Sequence, residues 1–438
     1  MTNDDFSIAI VGGGSAAEEL LRQLSASDEH RVVVFETDLV GGECPFYACM
    51  PSKAMLHDRS VGRSWDQAVV RRDRIVDHLD DSEHAHQAER LGATLVRARA
   101  RVTGPGTVHA DGVDYSVDHV MIAAGAQPID PDIAGLDVDH PRVWTSKDAL
   151  TSSDRPESLV VIGTGVIGSE LAFTFAGFGT RVTAMDTSER PAADLHPAVG
   201  RIIAETLERA GVELVGGADV ERVELTDDHV TVHQADGTIH RADQLLVAVG
   251  RAPAHGCIDL DSLGLDDVEV DGTGRLTGTE NVWVLGDAVG GDQYTHVANH
   301  HAVVVADHVA GDQVRRYDDV VVPACIFLDP PVVVVGPTWA ELAGDDDIVW
   351  AEIDVDTPRG TTDEHRSGFL AVAARASTGC VVAAHGVGDQ FDEVVHALVV
   401  AIDGRVPVAR LAQMIQPFPT VGEVLGQAFR SLRGQLVD

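Results

Sequence analysis

Ser7-Ile8-Ala9-Ile10-Val11-Gly12-Gly13-Gly14-Ser15-Ala16-Ala17 and Leu159-Val160-Val161-Ile162-Gly163-Thr164-Gly165-Val166-Ile167-Gly168-Ser169-Glu170 carry one pattern twice. In each, a continuous apolar run of the kind buried on both faces of a parallel sheet meets a glycine turn, and a helix follows. The first helix carries Leu20, Leu21 and Leu24 on one side. Glycines at 12 and 14, and at 163 and 165, permit a tight turn and close approach of a pyrophosphate to a helix N-terminus; Ala17 and Gly168 take the third position. The next strand, Arg31 to Phe35 in the first copy and Val182 to Met185 in the second, ends on an acid, Glu36 or Asp186, placed to accept from a ribose hydroxyl. A lone glycine pattern is often just a loop. Strand, turn, helix, strand and terminal acid in order predict dinucleotide binding, and two copies predict two dinucleotides, against a simple one-cofactor dehydrogenase. Asp186 favours the 2′-hydroxyl of NAD(H), while Arg181 and Arg190 nearby keep NADP(H) open. Leu245-Leu246-Val247-Ala248-Val249-Gly250 closes the second copy.

Between the copies lies Gly41-Gly42-Glu43-Cys44-Pro45-Phe46-Tyr47-Ala48-Cys49-Met50-Pro51-Ser52-Lys53. In a regular helix, Cα atoms five residues apart are roughly 8–9 Å from each other, and a disulfide needs them within about 7 Å. The two cysteines can therefore bond only if the turn is distorted. Pro45 at a first helical position and Pro51 inside the helix are the expected causes. Cys49 and Lys53, at i and i+4, share a face. The alternatives are a closable disulfide beside a cation or two buried thiols in an ordinary helix. Zinc is disfavoured, since no second Cys or His pair stands at ligand spacing, and no metal site is expected.

The 438 residues predict two to four domains with ample core. Lys+Arg 32 against Asp+Glu 70 gives a net charge of −38, which argues against nucleic-acid or anionic-membrane binding. Lysine occurs only at 53 and 147, so a chain that otherwise chooses arginine keeps the compact ammonium beside Cys49. Five cysteines (44, 49, 257, 325 and 380) make no disulfide scaffold. The acidic start Met1-Thr2-Asn3-Asp4-Asp5 lacks a secretory pattern and no apolar run spans a bilayer, so a cytoplasmic protein is expected. His296, His300 and His301 read as surface or packing histidines, and Asp345-Asp346-Asp347 as a solvated loop.

The cysteine stretch and its flanking fingerprints closely resemble the flavin-dependent pyridine nucleotide-disulfide oxidoreductases, the family of dihydrolipoyl dehydrogenase, glutathione reductase and mercuric reductase. The resemblance covers nearly the whole chain. It implies an α/β fold with two Rossmann-like domains, for FAD and for NAD(P), and a C-terminal α+β dimerisation domain. The expected bounds are 1–149 with 268–319 for FAD, 150–267 for NAD(P) and 320–438 for dimerisation. Val120-Met121-Ile122-Ala123-Ala124-Gly125 resembles the second glycine-bearing strand end of the FAD domain, and Asn281-Val282-Trp283-Val284-Leu285-Gly286-Asp287-Ala288 the segment whose aspartate holds the ribityl chain. The resemblance therefore implies Gly12, Gly14, Ala17, Glu36, Gly42, Lys53, Ala124, Gly125, Gly286 and Asp287 around FAD, and Gly163, Gly165, Gly168, Glu170, Asp186 and Gly250 around NAD(P). It also implies that Cys44–Cys49 is redox-active, with Cys49 nearer the flavin as charge-transfer thiolate, Cys44 as interchange thiol, and Lys53–Glu170 as an ion pair beside the flavin.

The resemblance breaks at Gln416-Pro417-Phe418-Pro419-Thr420-Val421-Gly422-Glu423. The family's disulfide reductases carry His-Pro-Thr-x-x-Glu here, with the histidine reaching the partner subunit as acid/base and the glutamate orienting it. Pro419, Thr420 and Glu423 match, but Phe418 stands in place of the histidine and can neither take nor give a proton. The sequence closes Arg433-Gly434-Gln435-Leu436-Val437-Asp438 without the vicinal cysteines of mercuric reductases. Efficient dihydrolipoamide, glutathione or mercury turnover is therefore not expected. The expectation is a homodimeric FAD enzyme passing electrons from NAD(P)H through FAD to Cys44–Cys49, and then to an acceptor such as a quinone, a metal ion, oxygen or an unusual disulfide. Two other readings are a quinone reductase or diaphorase with dispensable cysteines, and a flavin-binding redox sensor acting through a partner protein.

Overall fold

The computed structural model describes residues 6–25, 30–311, 316–364 and 368–436. The acidic start Met1–Asp5 and the last two residues, Val437 and Asp438, on which sequence readings rested, lie outside them. The chain forms two compact units, Met1–Met55 with Asp66–Ile129 and Arg251–Val320, and Leu56–Trp65 with Asp130–Gly250 and Val321–Asp438.

The first unit is built on a five-stranded sheet in the order Val282–Val284, His119–Ile122, Ile8–Val11, Val32–Phe35, Ala93–Val96. All its pairs are parallel. The central runs are almost wholly Ile, Val and Ala, since both faces are covered and neither needs polar side chains. Ile8 and Ile10 point into one buried cluster with Leu20, Leu24 and Ala302, while Ala9 and Val11 point into the opposite one. A three-stranded antiparallel meander, Ala100–Gly104, Thr107–Ala110 and Val113–Ser116, completes this half.

The second unit repeats the design. Its parallel sheet runs Val212–Val215, Arg181–Met185, Ser158–Ile162, Gln244–Val247, Val143–Trp144, and again a three-stranded meander, Val220–Leu225, Val230–Gln234 and Ile239–Ala242, accompanies it. The strands begin within a residue of where the apolar runs begin. The tail of the chain forms an antiparallel sheet, Pro323–Ile326, Val332–Val335, Cys380–Val387, Gly368–Arg375, Ile348–Val355. Helices Phe391–Asp403 and Glu423–Leu436 cover it through Val395, Leu398, Leu425 and Phe429. The fold is thus the expected α/β arrangement of two dinucleotide-type sheets with an α+β tail. Asp345 and Asp347 are less free than expected of a solvated loop, since both hold Arg375 and Asp347 also takes Ser377.

Two histidines tie the antiparallel sheet to the helix Pro197–Arg209. His196 caps that helix, its Nδ1 accepting from the Ala198 N–H at 3.3 Å, and its own N–H donates to Nδ1 of His385 at 3.1 Å. His385 is fully buried and its Nε2 faces the Pro337 carbonyl at 3.1 Å, so the ring is held as the neutral Nε2–H tautomer. Burial pushes its pKa down to about 4. The unfolded chain takes the proton near its ordinary value of 6.5. Stability from this group is therefore full above that pH and is lost as pH falls toward 4. Calorimetric unfolding of the wild type should lose on the order of 1–3 kcal/mol to this group between pH 6.5 and 4.5. In His385→Gln, which keeps an acceptor and a donor, the acid-dependent loss should be smaller by that amount; an unchanged pH slope refutes the assignment.

Candidate active site

The register of the first sheet aligns Val11 with Phe35 and Ile122, and Ile122 with Val284, so four strands end along one edge. The residues just past that edge are those singled out in the sequence. Gly12 has φ +101°, and a Cβ there would run into the Ala123 carbonyl. Gly42, at φ +73°, would put a Cβ 2.8 Å from the Gly14 Cα, and the Gly41 N–H donates to the Gly13 carbonyl at 2.8 Å, so the two glycine segments abut. Gly14 caps the helix Ser15–Leu24 without a side-chain bond, which leaves that helix's first N–H groups available to an anion. Ala17 is buried in the helix-facing cluster. Glu36 accepts from the Gly13 N–H through Oε2 and from the Thr37 and Asp38 N–H groups through Oε1, each at 2.7 Å. Ala124 and Gly125 follow the strand His119–Ile122, where the Gly125 carbonyl accepts from Ala254. Gly286 (φ +67°) and Asp287 follow Val282–Val284, and burial pushes the Asp287 carboxyl up against the pull of Arg251. A side-chain-free cradle, an uncapped helix N-terminus and an acid two strands away fit a dinucleotide such as FAD at this edge.

The cysteine stretch enters beside this edge. A short helix, Glu43–Phe46, stops at Tyr47 (φ −124°, ψ −8°), and a second helix, Cys49–Ser60, starts afresh. The distortion that a Cys44–Cys49 bond would require is there, but the prolines act differently from expectation. Pro45 is the third residue of the first helix and Pro51 the third of the second, where a missing N–H costs no internal bond. The break falls between them, and Cys49 opens a helix. Glu43 is tied to Arg251 at 2.8 Å, and Arg251 also donates to the Ala126 carbonyl.

Both cysteines are half-buried free thiols close to each other. Thr295 Oγ1, at the start of the helix Thr295–Ala310, lies 3.5 Å from Cys49 Sγ. The hydrogen bond from Cys44 brings the Cys49 thiol down to about 6 against the effect of burial, with Thr295 and Lys53 assisting. The same bond, with burial, pushes Cys44 up. The pair thus contains one thiol prepared as thiolate and one that keeps its proton. Thr295 was absent from the sequence reading. Its one signal is opening the helix that follows the Gly286–Asp287 turn. Cys257, in a short turn at His255–Cys257, has its thiol pushed up to about 11 by burial. His301 is buried and stacks on Tyr317 with ring centroids 3.7 Å apart, in keeping with a packing role.

The second sheet repeats the edge. Gly163 has φ +99° and a Cβ there would meet the Ala248 carbonyl; a Cβ on Gly168 would meet the Gly163 carbonyl. Gly165 caps the helix Val166–Gly177 without a side-chain bond, and Gly250 lies just beyond Gln244–Val247. Asp186 accepts from the Thr164 N–H and Oγ1 at 2.7 and 2.9 Å and from the Ser188 N–H at 2.9 Å. Glu170 is buried and accepts from the Phe327 N–H at 2.8 Å; it belongs to the second unit and Lys53 to the first. Phe418 is 72% exposed, beside Ile415 at 96%, while Glu423 at the start of its helix buries Oε2 without a hydrogen-bond partner among the described residues.

Two parallel sheets with glycine-lined ends, a thiol pair and an antiparallel tail define a two-nucleotide thiol oxidoreductase. The chain belongs to the pyridine nucleotide-disulphide oxidoreductases, whose family model matches residues 6–302, with the family's dimerisation domain matching 322–429. Members of this family use FAD and NAD(P)H. The dihydrolipoyl dehydrogenase of Haloferax volcanii is 32% identical over 92% of this chain and 91% of its own. A mercuric reductase of Lysinibacillus sphaericus is 28% identical over 97% and 82%. Among solved structures, the HOCl-induced flavoprotein disulfide reductase RclA from Escherichia coli, seen as a Cu(II) complex, superposes with a TM-score of 0.87 at 26% identity, covering 97% of this chain and 99% of that one. No helix among the described residues is long and apolar enough to cross a membrane.

If Thr295 assists the thiolate, iodoacetamide should alkylate Cys49 of the reduced protein with a midpoint at about pH 6. Thr295→Val should raise that midpoint by roughly 0.5–1 pH unit, the value of one hydrogen bond, and Thr295→Ser should leave it in place. Peptide mapping assigns the label; an unmoved midpoint in the valine variant excludes the role.

Proposed function

We propose that this chain is a homodimeric, cytoplasmic FAD-dependent NAD(P)H oxidoreductase in which Cys44–Cys49 cycles between disulfide and dithiol and hands its electrons to a further acceptor. The observation that carries the reading is the thiol pair itself: two half-buried free cysteines on either side of a helix break, with Thr295 Oγ1 3.5 Å from Cys49 Sγ, beside the glycine-lined strand ends. Gly12, Gly14, Ala17, Glu36, Gly42, Lys53, Ala124, Gly125, Gly286 and Asp287 are assigned to FAD. Gly163, Gly165, Gly168, Glu170, Asp186 and Gly250 are assigned to the nicotinamide nucleotide. FAD, when bound, supplies a two-electron relay between nicotinamide and sulfur. The net step is NAD(P)H and the disulfide giving NAD(P)⁺, one thiolate and one thiol, with the hydride's proton kept on Cys44. In the reduced pair Cys49 holds the negative charge, stabilised by Cys44, Thr295, Lys53 and its place at a helix start. Cys44 keeps its proton and is the sulfur that meets the acceptor. The domain bounds 1–149 with 268–319, 150–267 and 320–438 are part of the same proposal.

The acceptor is proposed to be one that needs no proton from position 418, because Phe418 has none to give. A thiophilic metal ion other than mercury suits a thiol pair of this kind and is in keeping with the Cu(II) complex of RclA. A quinone taking electrons without the cysteines is the rival.

Reduction of the purified yellow protein with NADH should produce a long-wavelength charge-transfer band that Cys49→Ser lacks; no band in the wild type removes the reading. Cu(II) reduction should fall at least tenfold in Cys44→Ser and Cys49→Ser, whereas undiminished turnover favours the quinone rival. Phe418→His should raise dihydrolipoamide oxidation at least tenfold, toward the roughly 10²–10⁴ that a positioned acid–base group supplies. No gain would show that position 418 does not limit this chemistry.

A further inference from the structure

The two nucleotide turns differ in one chemically meaningful way. In both, the acid at the end of the second strand is clamped by the N–H of the second residue of the glycine turn, Gly13 for Glu36 and Thr164 for Asp186, each at 2.7 Å. In both, the other carboxylate oxygen accepts from the backbone just beyond the acid. Thr164 adds a hydroxyl that donates to the same Asp186 oxygen at 2.9 Å. Thr164 is only 2% exposed, and its carbonyl is held in turn by Ser169 Oγ at 2.9 Å and by the Ala192 N–H at 3.3 Å. Three donors thus occupy three of the roughly four lone-pair sites of the Asp186 carboxylate. What remains is acceptor capacity, which suits a ribose hydroxyl and opposes a 2′-phosphate, an acceptor-only group of like charge.

The arginines that left the choice of nucleotide open are both accounted for. Arg181 opens the strand Arg181–Met185 and so lies at the end opposite Asp186. Arg190 donates to the Ala192, Ala193 and Leu195 carbonyls at 3.2, 2.6 and 2.9 Å, and its Nη1 fills the space where a Cβ on Gly200 would be. It is engaged as a brace for the segment leading into the helix Pro197–Arg209.

We propose that Thr164 is a positioning residue that acts through Asp186 to set the second site for NADH, and that Arg190 is withheld from any 2′-phosphate by the three carbonyls it braces. The inference rests on the reading of the second turn as the nicotinamide nucleotide site.

The test uses the full FAD-loaded protein, with equilibrium affinities for NAD⁺ and NADP⁺ and steady-state oxidation of NADH and NADPH by ferricyanide. Wild type should favour NADH at least tenfold in kcat/KM. Thr164→Val should raise the KM for NADH roughly 3–10-fold, the weight of one hydrogen bond, with kcat unchanged, and Thr164→Ser should restore it. Asp186→Asn should weaken NADH use without raising NADPH use by more than about twofold, because no cation is freed. Equal or better use of NADPH by wild type overturns the inference, as does a tenfold gain for NADPH in Asp186→Asn or an unchanged KM in Thr164→Val. If Thr164→Val fails to fold, the wild-type ratio and Asp186→Asn still decide. Wild-type protein that binds neither NAD⁺ nor NADP⁺ defeats the nucleotide-site reading itself, an outcome distinct from binding with the wrong preference.

Discussion

At two places in this chain a buried parallel strand hands over to a helix through a residue that has no room for a Cβ. Gly12 lies against the Ala123 carbonyl and Gly163 against the Ala248 carbonyl, both at φ near +100°. The contact does more than permit a tight turn. It brings the end of the neighbouring strand against the turn, so the carboxyl ends of the strands line up. Everything that follows, from the uncapped helix N-terminus to the acid clamped across the turn, depends on that alignment. A methyl group at Gly12 would act on strand order and on anion binding together, because one volume serves both.

The parallel sheets were legible because burial on both faces removes the need for polar side chains, leaving uninterrupted Ile, Val and Leu runs. The two meanders were harder to see, since half of each strand faces outward: Val220–Leu225 reads as half-buried and charged. The cysteine segment was legible in its requirement but not in its solution. Spacing said that the two cysteines can bond only if the helix is distorted, and the prolines looked like the cause. In the structure they help start two helices, and the break lies at the residues between them. Contacts between distant positions left no trace in the sequence. Thr295 meets a sulfur 246 positions away, and His196 meets His385 across 189. Neither carries a local signature, because a threonine opening a helix and a histidine before Pro197 have adequate local explanations.

The charge of the thiol pair is set locally. With a net charge of −38, the chain as a whole disfavours another anion, yet Cys49 has its acidity raised. Water and salt screen distant carboxylates, whereas the Cys44 thiol, the Thr295 hydroxyl and the Lys53 ammonium act through a half-buried medium of lower dielectric. The bond from Cys44 is the largest of these effects, and it vanishes if Cys44 is oxidised or removed. The stabilisation of the Cys49 thiolate is therefore a property of the reduced pair.

That coupling bears on what replaces the missing acid–base group. Glu423 retains a buried carboxylate oxygen with no hydrogen-bond partner among the described residues, while Phe418 is exposed on the single chain. Thiol–disulfide exchange with a neutral dithiol has to move protons on and off sulfur, and in the proposed cycle Phe418 could not take the proton from Cys44. A thiophilic cation lowers the pKa of a thiol it binds and can displace that proton directly to water. Under the proposed reading a metal acceptor would do by its charge what an imidazole does by its basicity, and for such an acceptor a phenylalanine at 418 would be no handicap.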